Sequence, residues 1–340
     1  MKISFFETED WEAQKIKELI SKNPVLKKHN IKIYKEKLTA KNVHLAKEDD
    51  VISVFIYSKI SKEILKEMKN LKFIATRSTG FDHIDVEECK KNKILVSNVP
   101  AYGSVTVAEH TFALILAYSR KIIQSVERTK KGDFSINGLR GFDLYGKTIG
   151  VIGTGRIGRE VIRIARGFGM NILAYDKFKD LEYAKKMNFK YVSLKKLLSS
   201  CDIITLHLPY SKETHHIINK KNIMNIKRGA LLVNTARGAL VETEAIAKAL
   251  SNKILGGVCL DVLEEEAIIK EEHELLSQEF TQKQLATALQ NLFLLSKDNV
   301  IITPHNAFNS EEAVNKIIET TIENIINFIN KKPQNLVNQP

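Results

Sequence analysis

Apolar residues recur along this chain with two alternating periods. Short runs rich in Val, Ile and Leu predict strands that are buried on both faces, as in a parallel sheet. The segments between these runs place apolar residues three or four positions apart, which predicts helices with one buried face. The predicted strands are 2–6, 31–34, 51–56, 71–75, 94–97, 147–152, 171–175, 191–192, 202–208, 230–234, 256–260 and 300–303.

The predicted helices complete an α/β pattern, because strands that alternate with helices indicate parallel, doubly wound sheets. The segment 105–122 is apolar on most faces, which predicts a helix buried between domains or subunits, and 132–146 is a predicted linker rich in glycine and charge. We expect a first domain of 1–101 completed by 303–340, and a second domain of 102–302. The other predicted helices are 11–20, 61–68, 157–168, 194–199, 243–250, 264–296 and 311–330.

The stretch 146–176 contains the pattern Gly153-Thr-Gly155-Arg-Ile-Gly158 between a predicted strand and a predicted helix. In such a turn the first glycine permits a tight bend, the second lets a pyrophosphate approach the backbone, and the third lets helix and strand pack closely. The helix N-terminus offers unpaired N–H groups to the phosphates. Asp176 ends the next strand and is placed to bind the ribose hydroxyls, so we expect NAD rather than NADP.

The amino-acid composition limits the kinds of binding partner that we expect for this chain. The net charge is +12, but only 10 of the 52 basic residues are Arg and the lysines are scattered among acidic residues, so we expect no nucleic-acid partner. Acidic residues follow early after Met1, and no apolar run approaches the ~20 residues that cross a bilayer, so we expect a cytoplasmic protein without a membrane partner. The three cysteines form no CxxC pair, and the spacing of His207, His215 and His216 predicts no metal site.

Polar residues follow several predicted strands, at the sheet edge where α/β proteins bind ligands. A histidine there, His305, is a candidate proton donor for a carbonyl that receives a hydride. A neighbouring carboxylate such as Glu266 would fix the histidine tautomer and favour its protonated form, and a guanidinium such as Arg237 can grip a substrate carboxylate through two hydrogen bonds. These strand-end residues are Asp176, His207, Arg237, Asp261 with the nearby Glu266, and His305.

The motifs VIGTGRIG, NTARG, LDV followed by Glu266, and TPH occur in an order that resembles the D-isomer-specific 2-hydroxyacid dehydrogenase family over essentially the whole chain. The resemblance implies two flavodoxin/Rossmann-like domains with the active site in the cleft between them, and a homodimer built partly on the helix at 105–122. It implies Arg237 as substrate clamp, Glu266 as carboxylate partner and His305 as acid/base. The cofactor-binding residues it implies, beside the three glycines and Asp176, are Arg156, Ile157, His207, Leu208, Pro209, Thr214, Thr235, Ala236 and Asp261.

The resemblance implies three substrate-binding residues. Tyr102 in Pro-Ala-Tyr is similar to the D-lactate dehydrogenase branch, where a tyrosine reaches into the substrate pocket, and the backbone of Thr79 and Gly80 would receive the substrate carboxylate. The segment Gly103-Ser-Val-Thr106 departs from the Ser-Pro usual in that branch. Because Tyr102 matches the D-lactate dehydrogenase branch, we expect the chain to reduce pyruvate to D-lactate. Two alternatives stay open: a dehydrogenase for a bulkier D-2-hydroxy acid, and an NAD(H)-sensing binding protein of the same fold.

Overall fold

The computed structural model describes residues 1–265 and 281–338. The chain divides into two α/β units. The first unit comprises Met1–Gly103 and Ser310–Pro340, and the second comprises Ser104–Asn309. Each has its own parallel sheet, as the alternation of strands and helices predicts.

The first unit is built on a five-stranded parallel sheet with the order β2-β1-β3-β4-β5. The central strands β3 and β4 are buried along their whole length, which explains their continuous apolar runs. The last helix of the chain packs on this sheet, where Phe328 stacks on Phe73 with ring centroids 4.4 Å apart. The elements of this unit are β1 Lys2–Phe5, α1 Asp10–Lys22, β2 Asn30–Ile33, β3 Val51–Val54, α2 Lys62–Glu67, β4 Phe73–Thr76, α3 Val86–Lys91, β5 Leu95–Ser97 and α11 Glu311–Ile329.

The second unit contains a seven-stranded parallel sheet with the order β12-β11-β10-β9-β6-β7-β8. The chain leaves β6 toward β7 and β8 on one side and returns through β9 to β12 on the other, so a topological switch point lies at the carboxyl end of β6. Its elements are α4 Ser104–Ser119, α5 Ile122–Lys130, β6 Thr148–Ile152, α6 Arg156–Gly167, β7 Asn171–Tyr175, α7 Leu181–Met187, β8 Lys190–Tyr191, α8 Leu194–Ser200, β9 Ile203–Leu206, β10 Ala230–Asn234, α9 Thr243–Ser251, β11 Leu255–Leu260, α10 Gln282–Leu295 and β12 Val300–Ile302.

The predicted single helix at 105–122 is wrong in its extent. Helix α4 ends at Ser119, Lys121 adopts a left-handed backbone with φ 55°, and a separate helix α5 follows. The segment after α5 returns across this break, where the Phe142 amide donates to the Ser119 carbonyl over 3.0 Å. Apolar residues continue through the break, so the hydrophobic pattern alone did not reveal it. Within the described ranges, no helix is both long and apolar enough to cross a bilayer.

Candidate active site

The glycine turn after β6 has a separate structural reason for each glycine. Gly153 has φ +96°, and a Cβ there would lie 2.7 Å from the His207 carbonyl oxygen. A Cβ on Gly158 would lie 2.0 Å from the Gly153 carbonyl oxygen, so only glycine lets α6 approach the turn this closely. Gly155 directly precedes α6, and a Cβ on it would meet no atom of the described residues within 4 Å. The helix N-terminus is therefore open toward an anion. Arg156 is exposed and Ile157 half-buried at this same N-terminus.

The Asp176 carboxylate is held against this glycine turn. Its Oδ2 accepts hydrogen bonds from the Thr154 amide over 2.6 Å and from the Thr154 hydroxyl over 3.0 Å, and its Oδ1 accepts from the Phe178 amide over 2.8 Å. The Thr154 hydroxyl also lies 2.9 Å from that of Tyr191. The end of β7 and the glycine turn are thus joined through one half-buried carboxylate. Thr154, the residue that makes this link, was not among the predicted site residues, although it stands inside the glycine motif.

His207 follows β9 and is buried beside the same turn. Its Nε2 lies 2.9 Å from the Thr205 hydroxyl, and its Nδ1 has no hydrogen-bond partner among the described residues. Burial lowers the pKa of His207 to about 3, so the ring is neutral near pH 7. Leu208 contacts Gly153, and the Thr214 hydroxyl closes the following loop by donating to the Pro209 carbonyl over 2.8 Å. The glycine turn, the open N-terminus of α6 and a buried His207 nitrogen that has no partner in the described part of the chain together fit a dinucleotide at this edge.

The turn after β10 is shaped by Asn234, which is 1% exposed. Its Oδ1 accepts from the Ala236 amide over 3.0 Å, and its Nδ2 donates to the Arg237 carbonyl over 2.8 Å. Thr235 is anchored separately, with its hydroxyl 2.9 Å from that of Thr111 on α4. The Arg237 guanidinium donates from Nη1 to the Ala236 carbonyl over 2.7 Å and is half-buried at this sheet edge. Asn234 was also missed by the sequence analysis, although an Asn that opens a turn commonly bonds the backbone ahead of it.

Asp261, at the end of β11, shapes the loop that contains His305. Its Oδ1 accepts from the Thr303 hydroxyl over 2.6 Å and from the Asn306 amide over 3.0 Å, and its Oδ2 accepts from the Ala307 amide over 2.9 Å. His305 lies between these contacts with φ +57°, a conformation that costs energy for any residue but glycine. The buried carboxylate therefore holds His305 in an otherwise unfavourable backbone shape.

The protonation of Asp261 follows from the same contacts. Burial alone would raise the pKa of this carboxyl, which is 1% exposed, but hydrogen bonds from His110, Thr303 and the amides of Ala307 and Asn306 together lower the pKa below its usual value. His110 on α4 lies 3.2 Å from the Thr303 hydroxyl and 3.5 Å from the Asp261 carboxylate. Asp261 is therefore ionised across the neutral range and supports the His305 loop.

The other predicted residues are the carboxylate partner Glu266 and the substrate-binding residues Thr79, Gly80 and Tyr102. Glu266 lies outside the described residues. Thr79 and Gly80 follow β4 in the first unit, where the Thr79 hydroxyl donates to the Val99 carbonyl over 2.8 Å and the Ser78 hydroxyl donates to the Gly80 carbonyl over 2.6 Å. Tyr102 is half-buried near the end of the first segment of that unit.

Comparison with known proteins identifies the relatives of this chain. Residues 112–307 match the family model for the NAD binding domain of D-isomer specific 2-hydroxyacid dehydrogenases. The chain is 36% identical to the D-lactate dehydrogenase of Escherichia coli, over 85% of this chain and 86% of that protein. It is 41% identical to the D-specific alpha-keto acid dehydrogenase of Enterococcus faecium, over 84% and 85%. The solved D-lactate dehydrogenase of Aquifex aeolicus, complexed with NAD and lactic acid, superposes with a TM-score of 0.87 at 38% identity and 99% coverage of both chains.

Proposed function

The chain belongs to the D-isomer-specific 2-hydroxyacid dehydrogenase family, and on that premise we propose that it is a D-lactate dehydrogenase that reduces pyruvate with NADH. Its second unit contains the NAD-binding domain of this family, and the predicted cofactor and fold class are both confirmed. What we propose beyond the family is that pyruvate is the substrate, that each site residue has a particular role, and that the chain forms a dimer.

The observation that carries the proposal is the Asp261–His305 loop arrangement. The buried Asp261 carboxylate binds the loop on both sides of His305, which has a left-handed backbone with φ +57°, so the position of this histidine is fixed by contacts with the end of β11. In the proposed reaction, protonated His305 donates its proton to the carbonyl oxygen of the substrate. Glu266 is the carboxylate partner of His305, and Asp261 keeps the backbone of His305 in place.

The other residues orient the substrate and the cofactor. Bound NADH supplies the hydride to the carbonyl carbon. Arg237 binds the substrate through its guanidinium, whose two parallel N–H groups fix direction as well as charge. The backbone of Thr79 and Gly80 receives the carboxylate, and Tyr102 closes the pocket that admits the methyl group. The glycine turn holds the pyrophosphate, and Asp176 accepts hydrogen bonds from the ribose hydroxyls.

A second candidate is a dehydrogenase for a bulkier D-2-hydroxy acid. The observation in its favour is the relative in Enterococcus faecium, named a D-specific alpha-keto acid dehydrogenase, which is 41% identical to this chain. Steady-state rates of NADH oxidation with pyruvate, phenylpyruvate and 2-ketoisocaproate, with chiral analysis of each product, separate the two. We expect the highest kcat/KM with pyruvate and only D-lactate as product.

The same assay is able to overturn the proposal. L-lactate as the product, or no turnover with any 2-keto acid, would exclude the proposed activity, and NADH-dependent binding of a protein partner without turnover would favour a sensor. His305→Ala is expected to abolish most turnover while NADH binding, followed by its fluorescence, stays close to wild type. A loss of both together would argue that His305 has a structural role instead.

We further propose that the enzyme is a homodimer in the cytoplasm. Helix α5 and the following loop expose large apolar side chains, and Phe134 and Ile136 are 80% and 82% exposed. Exposed apolar surface of this kind is typical of subunit interfaces. The loop is fixed to α5, where Arg128 donates to the Asn137 carbonyl over 2.6 Å. The three cysteines are buried and form no disulfide, in keeping with a reducing compartment. The exposed apolar residues of α5 and of the segment that follows it are Ile122, Ile123, Val126, Phe134, Ile136 and Tyr145.

A further inference from the structure

Glu7 lies just after β1, and its carboxylate binds the loop that follows β3. Its Oε2 accepts a hydrogen bond from the Phe55 amide over 2.8 Å, and its Oε1 accepts from the Tyr57 amide over 2.7 Å. The buried Ser58 hydroxyl also donates to Oε2. Because a carboxylate is only an acceptor, this one side chain satisfies three donors of the loop, which comprises residues 55–58.

The main chain of Glu7 is fixed in turn by Arg77, whose side chain is 1% exposed. The Arg77 Nη2 donates to the carbonyls of Phe6 and Glu7 over 2.7 and 2.6 Å, and its Nη1 donates to the hydroxyl of Ser53 in β3 over 3.2 Å. Glu7 itself has a left-handed backbone with φ +56°, a conformation that glycine adopts more readily than any other residue. The guanidinium therefore joins the carboxyl ends of β1 and β3 at the point from which the Glu7 carboxylate reaches the loop.

The loop 55–58 runs beside the segment 77–83, which contains the proposed carboxylate-binding turn. At the start of the two segments, the Arg77 amide donates to the Val54 carbonyl over 2.8 Å and continues the pairing of β3 with β4. At their far end, the Ile60 amide donates to the His83 carbonyl over 2.8 Å. Because the two segments leave the same sheet edge and are joined at both ends, a change in the path of one alters the space beside the other.

Two aromatic side chains give this loop its bulk. The rings of Phe55 and Tyr57 pack edge to face with centroids 6.1 Å apart, and Tyr57 is 46% exposed. The main-chain amides of these same two residues are the ones that Glu7 binds, so its carboxylate fixes the backbone that bears both rings. A fixed loop with two rings limits the room beside the substrate, whereas a released loop admits a larger group.

We propose that Glu7 is a positioning residue that sets the size of the 2-keto acid the enzyme prefers, by fixing the loop 55–58 beside the substrate-binding turn. This inference rests on the proposed function, because it requires the backbone of Thr79 and Gly80 to receive the substrate carboxylate. Glu7 acts through the loop and does not touch the substrate. Its partners all lie in the first unit, so its loss should change the choice of substrate and leave NADH binding unaltered.

The test compares kcat/KM for pyruvate and for phenylpyruvate in the wild type and in two isosteric variants. In Glu7→Gln an acceptor oxygen becomes an NH2 group that faces an N–H donor of the loop and cannot accept from it. We expect the KM for pyruvate to rise about tenfold and kcat to change less than about threefold, because binding geometry is altered but the reacting groups are not. With kcat/KM for phenylpyruvate retained, the preference for pyruvate falls about tenfold. Glu36→Gln, at an exposed position of the same unit, is the matched control and should keep the wild-type preference.

A second variant keeps the test decisive if Glu7→Gln does not fold. Glu7→Gly removes the whole carboxylate and suits the φ of +56°, so it should fold and lower the preference for pyruvate further. An unchanged preference in a folded variant, with or without a lower melting temperature, would overturn the positioning role and leave the proposed function standing. A wild type that prefers phenylpyruvate would overturn the choice of pyruvate alone, since a shift of the ratio in Glu7→Gln would still support the role of Glu7. Absence of turnover with any 2-keto acid would overturn both proposals.

Discussion

The Thr303 hydroxyl donates to the Asp261 carboxylate over 2.6 Å, two residues before His305. This contact joins the end of β11 to the loop that follows β12, and two amides beyond His305 complete the attachment. The sequence singles out this carboxylate as a strand-end residue and, by resemblance, as a cofactor-binding one, and its contacts in the structure also fix the backbone on both sides of the proposed acid/base. The contribution of Asp261 to the stability of the protein can be measured.

Asp261→Asn is expected to lower the free energy of unfolding by about 3 kcal/mol at pH 7, because it weakens several hydrogen bonds to a buried charge. The pKa of Asp261 is lowered in the folded protein, so its stabilising effect is full above the unfolded value of about 3.9 and is lost as pH falls through the folded value. Melting temperatures of both proteins from pH 3 to 8 should differ most above about pH 5 and converge toward pH 3. Asp143→Asn, at an exposed position, should match wild type, and a constant gap at all pH values would contradict this account.

Two glycines of one motif should respond differently to alanine. Gly158→Ala puts a methyl group 2.0 Å from a backbone oxygen, so it should cost about 1–3 kcal/mol of stability. Gly155→Ala meets no atom of the described residues within 4 Å and should melt near the wild-type temperature, yet bind NADH at least tenfold more weakly because the methyl group occupies the approach of the pyrophosphate. Calorimetry and NADH fluorescence titration measure the two effects, and equal NADH affinity in Gly155→Ala would exclude the pyrophosphate from this turn.

Asp176→Asn should reduce the preference for NADH over NADPH by about tenfold. The amide oxygen can still accept from Thr154, so the turn is retained, while the negative charge that repels a 2′-phosphate is removed. The ratio of kcat/KM for the two cofactors measures this preference. Asp180→Asn, which removes a nearby carboxylate paired with Arg159, is the control that should leave the ratio unchanged.

Arg237→Lys should lower kcat/KM for pyruvate about 100-fold although the charge is kept, because an ammonium group cannot make two parallel hydrogen bonds in a fixed plane. NADH affinity should remain near wild type. Arg228→Lys, on an exposed surface, provides the control for the chemistry of the substitution. Activity of Arg237→Lys within a few-fold of wild type would show that charge alone is required at this position.

Ile136→Asp should weaken or abolish the proposed dimer, since it replaces an apolar residue that is 82% exposed in the single chain with a charged one. Sedimentation velocity across a range of concentrations measures the mass. Phe178→Asp changes an equally exposed aromatic residue on another part of the unit and should leave the assembly intact. Identical sedimentation of wild type and Ile136→Asp would remove this face from the interface.

Much of the fold could be predicted from the sequence because buried parallel strands appear in it as short, continuous apolar runs. The strands Asn171–Tyr175 and Ala230–Asn234 begin and end at the predicted residues. Helix α5 and the break at Lys121 were missed, because the break depends on one left-handed residue and on a loop that crosses Ser119. Neither cause lies in the hydrophobic pattern itself.

The sequence by itself determined the two parallel sheets, the glycine turn and the family, since each depends on residue types at short, fixed spacings. Only the tertiary structure revealed what Asp261 and Glu7 bond to, because their partners follow other strands of the same sheet. Asp261 reaches Thr303 across 42 positions of the chain, and Glu7 reaches Tyr57 across 50. Such contacts form only when the sheet has brought its strand ends together, and spacing along the chain does not encode them.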